Sequence, residues 1–183
     1  MRSLQNIWFI IFLCSLAACS VTRQLPANDA LYTGAQIKLK PANDSVKMNK
    51  KVLTEELEEL VRPEPNSSAL GLRFKLMIFN MVDTPRKNSG LWYWLKYKVG
   101  EPPVLASSVN LEKNRVIMQN RLENRGFFKT EVTADTVIKH KKMEVTYTAT
   151  VEQRYVIRKV NLPTDSGQIY NIIRRISKSS LLK

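Results

Sequence analysis

Cysteine and histidine are scarce in this chain, with two and one copies among 183 residues. A structural zinc site takes about four such ligands, so thiol-rich metal sites and multi-histidine catalytic centres are nearly excluded. The six glycines are scattered and form no phosphate-binding loop. Acidic residues are outnumbered, 16 against 29 basic ones, which leaves a formal net charge of +13. This charge favours contact with anionic surfaces, lipid headgroups or nucleic acid, without choosing between them.

A long apolar run is also lacking. Only residues 7–13 (IWFIIFL) are continuously apolar, and they follow a single basic residue, Arg2. A transmembrane helix needs about 20 apolar residues, so this block is too short to span a bilayer. A basic residue, a short apolar block and then small residues are typical of an export signal. We therefore predict that residues 1–18 are a cleaved signal peptide.

The signal ends in Leu16-Ala17-Ala18-Cys19, which resembles the lipobox of bacterial lipoproteins. The resemblance implies that Cys19 becomes the first residue and carries acyl chains. Two or more buried chains would anchor the protein stably in a membrane. Ser20 follows, rather than the aspartate that retains lipoproteins in the inner membrane, and this points to the outer membrane. The alternative is an ordinary signal peptide in which the cysteine is a coincidence.

Beyond a predicted lipidated linker at residues 19–30, the apolar pattern marks a strand and a helix. Residues 32–39 alternate, with Ala35, Ile37 and Leu39 on one face, as in a half-buried strand. Residues 50–61 place leucines along one helical face and glutamates largely towards water. Prolines at 63 and 65 end this helix.

The middle of the chain contains two apolar segments, residues 71–81 and 89–100, which we predict to be helical. Trp92 and Trp94 lie beside Lys96 in the second segment. We expect them to pack inward as a small satellite core, because clustered aromatic residues usually do so. An interfacial belt against lipid headgroups is the alternative. A nucleic-acid stacking platform also combines aromatic and basic residues, but an exported chain would meet little nucleic acid.

A helix and a hairpin follow. The helix is predicted from Ser108 to a cap at Gly126, with Val109, Val116, Met118 and Leu122 among its apolar positions. Residues 129–138 and 143–151 alternate between apolar and polar side chains on either side of a turn at 140–142. These few elements bury a core only if the helices cover one face of a three-stranded sheet, so the predicted class is α+β.

The stretch NRLENRGFF, residues 120–128, is similar to the helix-to-strand junction of POTRA domains. POTRA domains are the periplasmic repeats that precede the barrel in the BamA/TamA superfamily of outer-membrane assembly proteins. In this junction Leu122 would pack the helix on the sheet, and Gly126 would take a left-handed turn. Phe127 or Phe128 would fill the corner.

Further stretches resemble the TamL lipoprotein branch of that superfamily: LPANDALYTG, RPEPNSSALGLRF, GEPPVL and VTYTATVEQRYVIRKV. The resemblance implies a β-α-α-β-β POTRA-like domain at residues 31–152 with a mixed sheet. It also implies an α-rich insertion between the two helices, at about 63–106. Residues 155–163 loosely echo residues 32–41 and precede a helical pattern, so we predict that 153–183 begins a second, truncated repeat. Family members carry further repeats and a membrane barrel, which this sequence does not contain.

No residue is a convincing catalytic candidate. His140 falls in the predicted turn between lysines, where no buried acid is placed to orient it. The glutamates of the first helix are better explained as a solvated helix face than as a metal site. We therefore expect a protein that is not an enzyme, with no cofactor, no metal and no small-molecule substrate.

The resemblance implies a periplasm-facing outer-membrane lipoprotein that binds outer-membrane protein clients, or an inner-membrane or periplasmic partner, by adding their strands to its sheet. The exposed edge should be the second strand, because the third is covered by its hairpin partner and by the first strand. The predicted edge consists of Lys129, Thr130, Glu131, Val132, Thr133, Ala134, Asp135, Thr136, Val137 and Ile138. A merely solvated edge remains an alternative for these residues. A free-standing envelope adaptor and an inactive truncated gene product remain alternatives for the whole chain.

Overall fold

The computed structural model of the chain describes Thr22, residues 24–161 and residues 167–177. Within these residues the fold is α+β, with a three-stranded mixed sheet. In chain order the elements are β1 (Leu31–Pro41), α1 (Lys50–Glu58), α2 (Phe74–Met81), α3 (Leu91–Trp94), α4 (Leu111–Asn124), β2 (Thr130–Lys139), β3 (Lys142–Val151) and α5 (Gln168–Ser177). A π-helical turn, Leu95–Val99, continues α3, and a 3-10 turn, Ala106–Ser108, precedes α4.

The sheet has the order β1-β3-β2, which confirms the predicted central position of the third strand. β1 runs parallel to β3, and β2 runs antiparallel to it. The hairpin turn consists of His140 and Lys141, both with positive φ, at 51° and 57°. Two such residues are characteristic of a tight turn whose twist matches that of the strands. Lys142, which we placed in the turn, already belongs to β3.

The helices α1 and α4 cover one face of the sheet, as predicted. Leu53 and Leu57 of α1 and Met118 and Leu122 of α4 form one buried cluster with the apolar residues of all three strands. The opposite face is polar and includes Glu144 and the threonines of β3. Alternating burial of this kind fixes the register, because a shift by one residue would expose the whole apolar set.

The corner between α4 and β2 follows the predicted design. Gly126 has φ +91°, in the left-handed region that a side chain resists. A Cβ atom there would lie 2.6 Å from the carbonyl oxygen of Tyr155. Phe127 fills the corner, whereas Phe128 is exposed and contacts the ring of Tyr155.

Two details of α4 differ from the prediction. The helix begins at Leu111 rather than Ser108, because the Asn110 side chain accepts a hydrogen bond from the Lys113 N–H and caps it. Val116 is half-exposed, because the buried stripe of the helix is Asn114, Met118 and Leu122, spaced four residues apart.

The two tryptophans of α3 do not pack inward, so that prediction was wrong for them, whereas Tyr93 is half-buried and its ring contacts that of Tyr97. The side chain that α3 and its π-helical turn bury is Lys96. Its ammonium donates hydrogen bonds to the carbonyl oxygens of Phe79 and Val82, at 3.2 and 2.6 Å, and lies 4.4 Å from the centre of the Phe79 ring. The lysine occupies the buried position, whereas Trp92 and Trp94 are exposed.

Two segments of the predicted second repeat, 153–161 and 167–177, lie within the described residues. Residues 155–161, which we expected to be extended and strand-like, belong to no strand, and Tyr155 is held by one main-chain bond from its N–H to the carbonyl of Gly126. A strand needs a partner along its length, and this contact supplies one bond only. The helical pattern at 168–176 is confirmed as α5, in which Ile169, Ile172 and Ile176 are exposed.

Candidate functional site

β2 forms one edge of the sheet, at the position that the sequence predicts. The strand spans Thr130–Lys139, so Lys129 alone of the ten predicted edge residues lies outside it. In the described part of the chain, no residue outside the sheet makes a main-chain hydrogen bond to β2. Because residues of an antiparallel strand alternate in the side they turn to their neighbour, about half of its N–H and C=O groups face away from β3.

The β2 edge is unusually regular. Its residues pair one-to-one with β3 from Thr130 opposite Val151 to Lys139 opposite Lys142, without a bulge. It also contains no proline. Natural sheets often block their edges with bulges, prolines or inward-pointing charges. Glu131 and Asp135, the carboxylates of this strand, are exposed and pair across the strands with threonines of the polar face.

The two halves of β2 differ in burial. Thr130 and Val132 are buried, and the Thr130 hydroxyl donates a 2.6 Å hydrogen bond to the carbonyl of Phe127. Val137 and Ile138 are exposed, at 53% and 60% of their surface. The alternation predicted Ile138 on the buried face, but α4 joins β2 at its first residues and covers only that half. The far half of the edge is therefore open on both faces.

The opposite edge of the sheet is partly occupied. At the start of β1, the Tyr32 N–H donates to the carbonyl of Val104, and the Ala106 N–H donates to that of Ala30, each at 2.8 Å. The Arg73 guanidinium donates to the carbonyl of Thr33 at 2.9 Å. The pairing of β1 with β3 is also shifted between Tyr32 and Gly34. Another strand would therefore meet more obstacles at β1 than at β2.

Asn66 joins the ends of the 63–106 segment, and sequence reasoning did not identify it. This residue is 2% exposed. Its amide nitrogen donates to Glu101 Oε1 and to the carbonyl of Pro102, at 2.9 and 2.7 Å, and its oxygen accepts from the Val104 N–H at 2.9 Å. The prolines around both loops indicate rigid backbone, but nothing in the sequence pairs one loop with the other.

The partner of Asn66, Glu101, also accepts hydrogen bonds from the hydroxyl and the N–H of Ser67. Burial opposes ionisation of this carboxyl group. The hydrogen bonds from Ser67 and Asn66 and the charge of Lys75 nevertheless hold the pKa of Glu101 below its ordinary value. The carboxylate therefore stays ionised while it ties the two loops together.

Asn114 plays the corresponding role between the helices. It is 2% exposed, and its amide nitrogen donates to the carbonyl of Arg62 at 2.7 Å and to the Tyr147 hydroxyl at 3.0 Å. Its oxygen accepts from the Arg62 N–H at 3.2 Å. The signal that could have identified it is its spacing, since it precedes the buried Met118 and Leu122 by four and eight residues.

Two tyrosines, Tyr32 of β1 and Tyr147 of β3, are fully buried in the sheet. Burial and the neighbouring Tyr147 raise the pKa of Tyr32 to about 12. Burial also raises the pKa of Tyr147, while its hydrogen bond with Asn114 acts in the opposite direction. Within the described residues, the Tyr32 hydroxyl is buried without a hydrogen-bond partner.

Two further candidate residues of the sequence are Cys19 and His140. Cys19 lies outside the described residues. His140 is exposed in the hairpin turn. The described ranges contain no group of three or more His, Cys, Asp or Glu residues that could hold a metal ion. They also contain no helix long and apolar enough to cross a bilayer.

Comparisons of this chain with protein-family models, with curated proteins and with solved structures find no match.

Proposed function

We propose that this chain is a lipid-anchored, periplasm-facing POTRA-like module of an outer-membrane protein assembly or translocation factor. It binds client or partner chains by adding their strands to the β2 edge. The observation that carries the proposal is this edge, which is long, regular and without a main-chain partner among the described residues. The order β1, α1, α4, β2, β3, with α2 and α3 between the two helices that cover one face of the sheet, is compatible with a POTRA-like fold. The choice of the BamA/TamA superfamily depends on the sequence resemblances at 25–34, 62–74, 100–105, 120–128 and 145–160.

Strand addition suits clients of varied sequence, because its main-chain hydrogen bonds do not depend on side-chain identity. Strands of a membrane barrel alternate between apolar and polar residues. β2 offers a matching environment, since Val132 and Ile138 lie on its apolar face and Thr133 and Asp135 on its polar face. An added strand would therefore find an apolar neighbour on one side and a polar neighbour on the other.

A proline scan of β2 tests the edge. The probe is a synthetic ten-residue peptide of alternating valine and threonine, and its binding is measured by isotope-edited NMR of the protein amides. Proline at Thr133, Ala134, Asp135 and Thr136 removes one N–H at a time. At the two positions whose N–H faces outward, we expect unchanged thermal unfolding and about fivefold weaker binding, since each proline removes one main-chain hydrogen bond of about 1 kcal/mol. At the other two positions, proline removes bonds to β3 and should lower stability.

Alanine at Thr133, Asp135 and Thr136 is the matched control, because it keeps the N–H, and at position 134 the natural alanine serves as the control. Alanine variants should bind the peptide nearly as well as the natural chain. Equal losses with alanine and proline would mean that side chains, not the edge, hold the peptide. Shifts confined to the amides of β1 would place the binding at the wrong edge and reject the proposal.

The membrane anchor is tested separately. Mass spectrometry of the N-terminal peptide of the processed protein should show an acylated Cys19, and Cys19→Ser should release the protein from the membrane fraction. A mature N-terminus at another residue, or an unmodified Cys19, would contradict lipid anchoring while leaving the peptide-binding result untouched.

A further inference from the structure

The 63–106 segment exposes large apolar side chains that do not pack against the rest of the domain. Met81 is 67% exposed, and Leu91, Trp92 and Trp94 are 68%, 64% and 53% exposed. α2 is apolar over most of its length (FKLMIFNM), yet only Leu76 in it is fully buried. A helix that is apolar all round is normally buried, and contiguous exposed apolar surface usually marks an interaction site.

These residues form a face and a cleft. Leu91, Trp94 and Lys98 follow the spacing of one helical face, while Lys96 occupies the buried side. A cleft of about 610 Å³ opens between the end of α2 and the start of α3, and its lining includes Met81, Leu91 and Trp92. Arg86 and Lys87 line the same cleft. Asp83 also lines it, so the cleft combines apolar walls with two cationic side chains and one carboxylate.

The charges around this surface favour an anionic partner. Lys75, Arg86, Lys87 and Lys98 are exposed between residues 73 and 98, against one exposed carboxylate, Asp83. Basic residues near a bilayer are attracted to anionic lipid headgroups. Tryptophan and tyrosine are enriched where protein meets the headgroup region, because one end of the ring is apolar and the other can form hydrogen bonds.

The N-terminal segment brings this surface close to the proposed anchor. Leu25 is buried against Leu76 of α2. The Gln24 amide nitrogen donates a 2.5 Å hydrogen bond to the carbonyl of Asn80, the residue before Met81. Cys19 precedes Gln24 by five residues, which span at most about 18 Å when fully extended. An acylated Cys19 therefore holds the bilayer within that distance of the end of α2.

We infer that α3 and the 81–92 cleft are a membrane-docking surface that rests on a bilayer containing anionic lipids. The position of the tether rests on the proposed function, but the affinity of the surface for lipid does not. Leu91, Trp92 and Trp94 enter the headgroup region, and Arg86 and Lys87 pair with lipid phosphates. The domain is thereby held in one orientation on the membrane instead of moving freely on its linker.

Tryptophan fluorescence provides a local test. Of the three tryptophans, Trp92 and Trp94 lie in α3, and Trp8 lies in the predicted signal peptide. Residues 20–183, which lack Cys19 and its acyl anchor, are mixed with vesicles of phosphatidylcholine that contain about one-third phosphatidylglycerol. We expect a blue shift, quenching by brominated acyl chains, and binding that weakens at high salt. Met81→Ser with Leu91→Ser should weaken partitioning about tenfold, and Arg86→Gln or Lys87→Gln about fivefold each.

Val137→Ser with Ile138→Ser is the matched control, because these residues are similarly exposed on β2, the sheet edge opposite β1, to which the 63–106 segment is fixed. This variant should partition like the natural chain. An absence of blue shift with anionic vesicles, or equal weakening by the control, would overturn the inference. Concentration-dependent dimerisation that Leu91→Ser abolishes, measured by sedimentation without lipid, would assign the surface to a second copy of the chain instead. An unmodified Cys19 would reject the anchor but not the vesicle result.

Discussion

Replacing Tyr32 by phenylalanine should stabilise the protein, although it removes a polar atom from the core. The side chain is fully buried, and no described residue gives its hydroxyl a hydrogen bond. Burying an unpaired hydroxyl costs about 1–3 kcal/mol, whereas the phenylalanine ring keeps the apolar contacts. We therefore expect the free energy of unfolding in urea at pH 7.5 to rise by about 1 kcal/mol or more.

Tyr147→Phe is the matched control and should act in the opposite direction. Its hydroxyl accepts a hydrogen bond from Asn114 at 3.0 Å, so the substitution removes an interaction worth about 1 kcal/mol. If Tyr32→Phe instead destabilises the protein as much as Tyr147→Phe does, the Tyr32 hydroxyl has a partner in solution and the reasoning is refuted.

The pH dependence of the unfolding free energy tests the same substitution in a second way. The pKa of Tyr32 is raised from 10.0 to about 12 in the folded state, so the unfolded chain releases this proton first as the pH rises. Stability from this group is therefore complete below pH 10 and is lost between about pH 10 and 12, by roughly 2–3 kcal/mol. The difference in unfolding free energy between Tyr32→Phe and the natural chain should widen across that window. A constant difference would contradict the raised pKa.

Two further substitutions test the framework around the sheet. Gly126→Ala places a side chain at φ +91° and against the Tyr155 carbonyl, so the free energy of unfolding should fall by about 2 kcal/mol. A loss below about 0.5 kcal/mol would mean that the backbone between α4 and β2 adjusts to the side chain. Asn66→Ala leaves the Val104 N–H without its partner, so the free energy of unfolding in urea should fall by about 2–3 kcal/mol. The exposed control Ser67→Ala should lower it much less. Equal losses would show that the two loops are held by other contacts.

The sheet and its helices were largely predictable because their signals are local. Alternation along β3 and the spacing of Leu53 and Leu57 report burial directly. Gly126 and the two-residue turn report backbone conformation. The central position of β3 also followed, since three strands and two helices offer few ways to bury one apolar face.

The 63–106 segment was less predictable because its structure depends on contacts between distant residues. The inward position of Lys96 is fixed by the carbonyl oxygens of Phe79, in α2, and Val82, just after it. The same holds for Asn66 and Asn114, whose burial follows from main-chain groups 36 and 52 residues away. A polar side chain in such a position has no periodic signature, so the pattern favoured the aromatic residues for the interior.

These buried polar contacts bear on both proposals at once. Asn66 holds residue 104, and the Val104 carbonyl accepts from the N–H of Tyr32 in β1. Arg73, next to α2, donates to Thr33 in the same strand. The 63–106 segment is thus fixed to one edge of the sheet, while β2 is the other edge. A bilayer in contact with α3 would consequently set the direction in which the β2 edge faces. Asn66→Ala should therefore leave peptide binding at β2 intact, while it loosens the orientation of that edge relative to the membrane, measurable by fluorescence transfer from a label on the hairpin to a labelled bilayer.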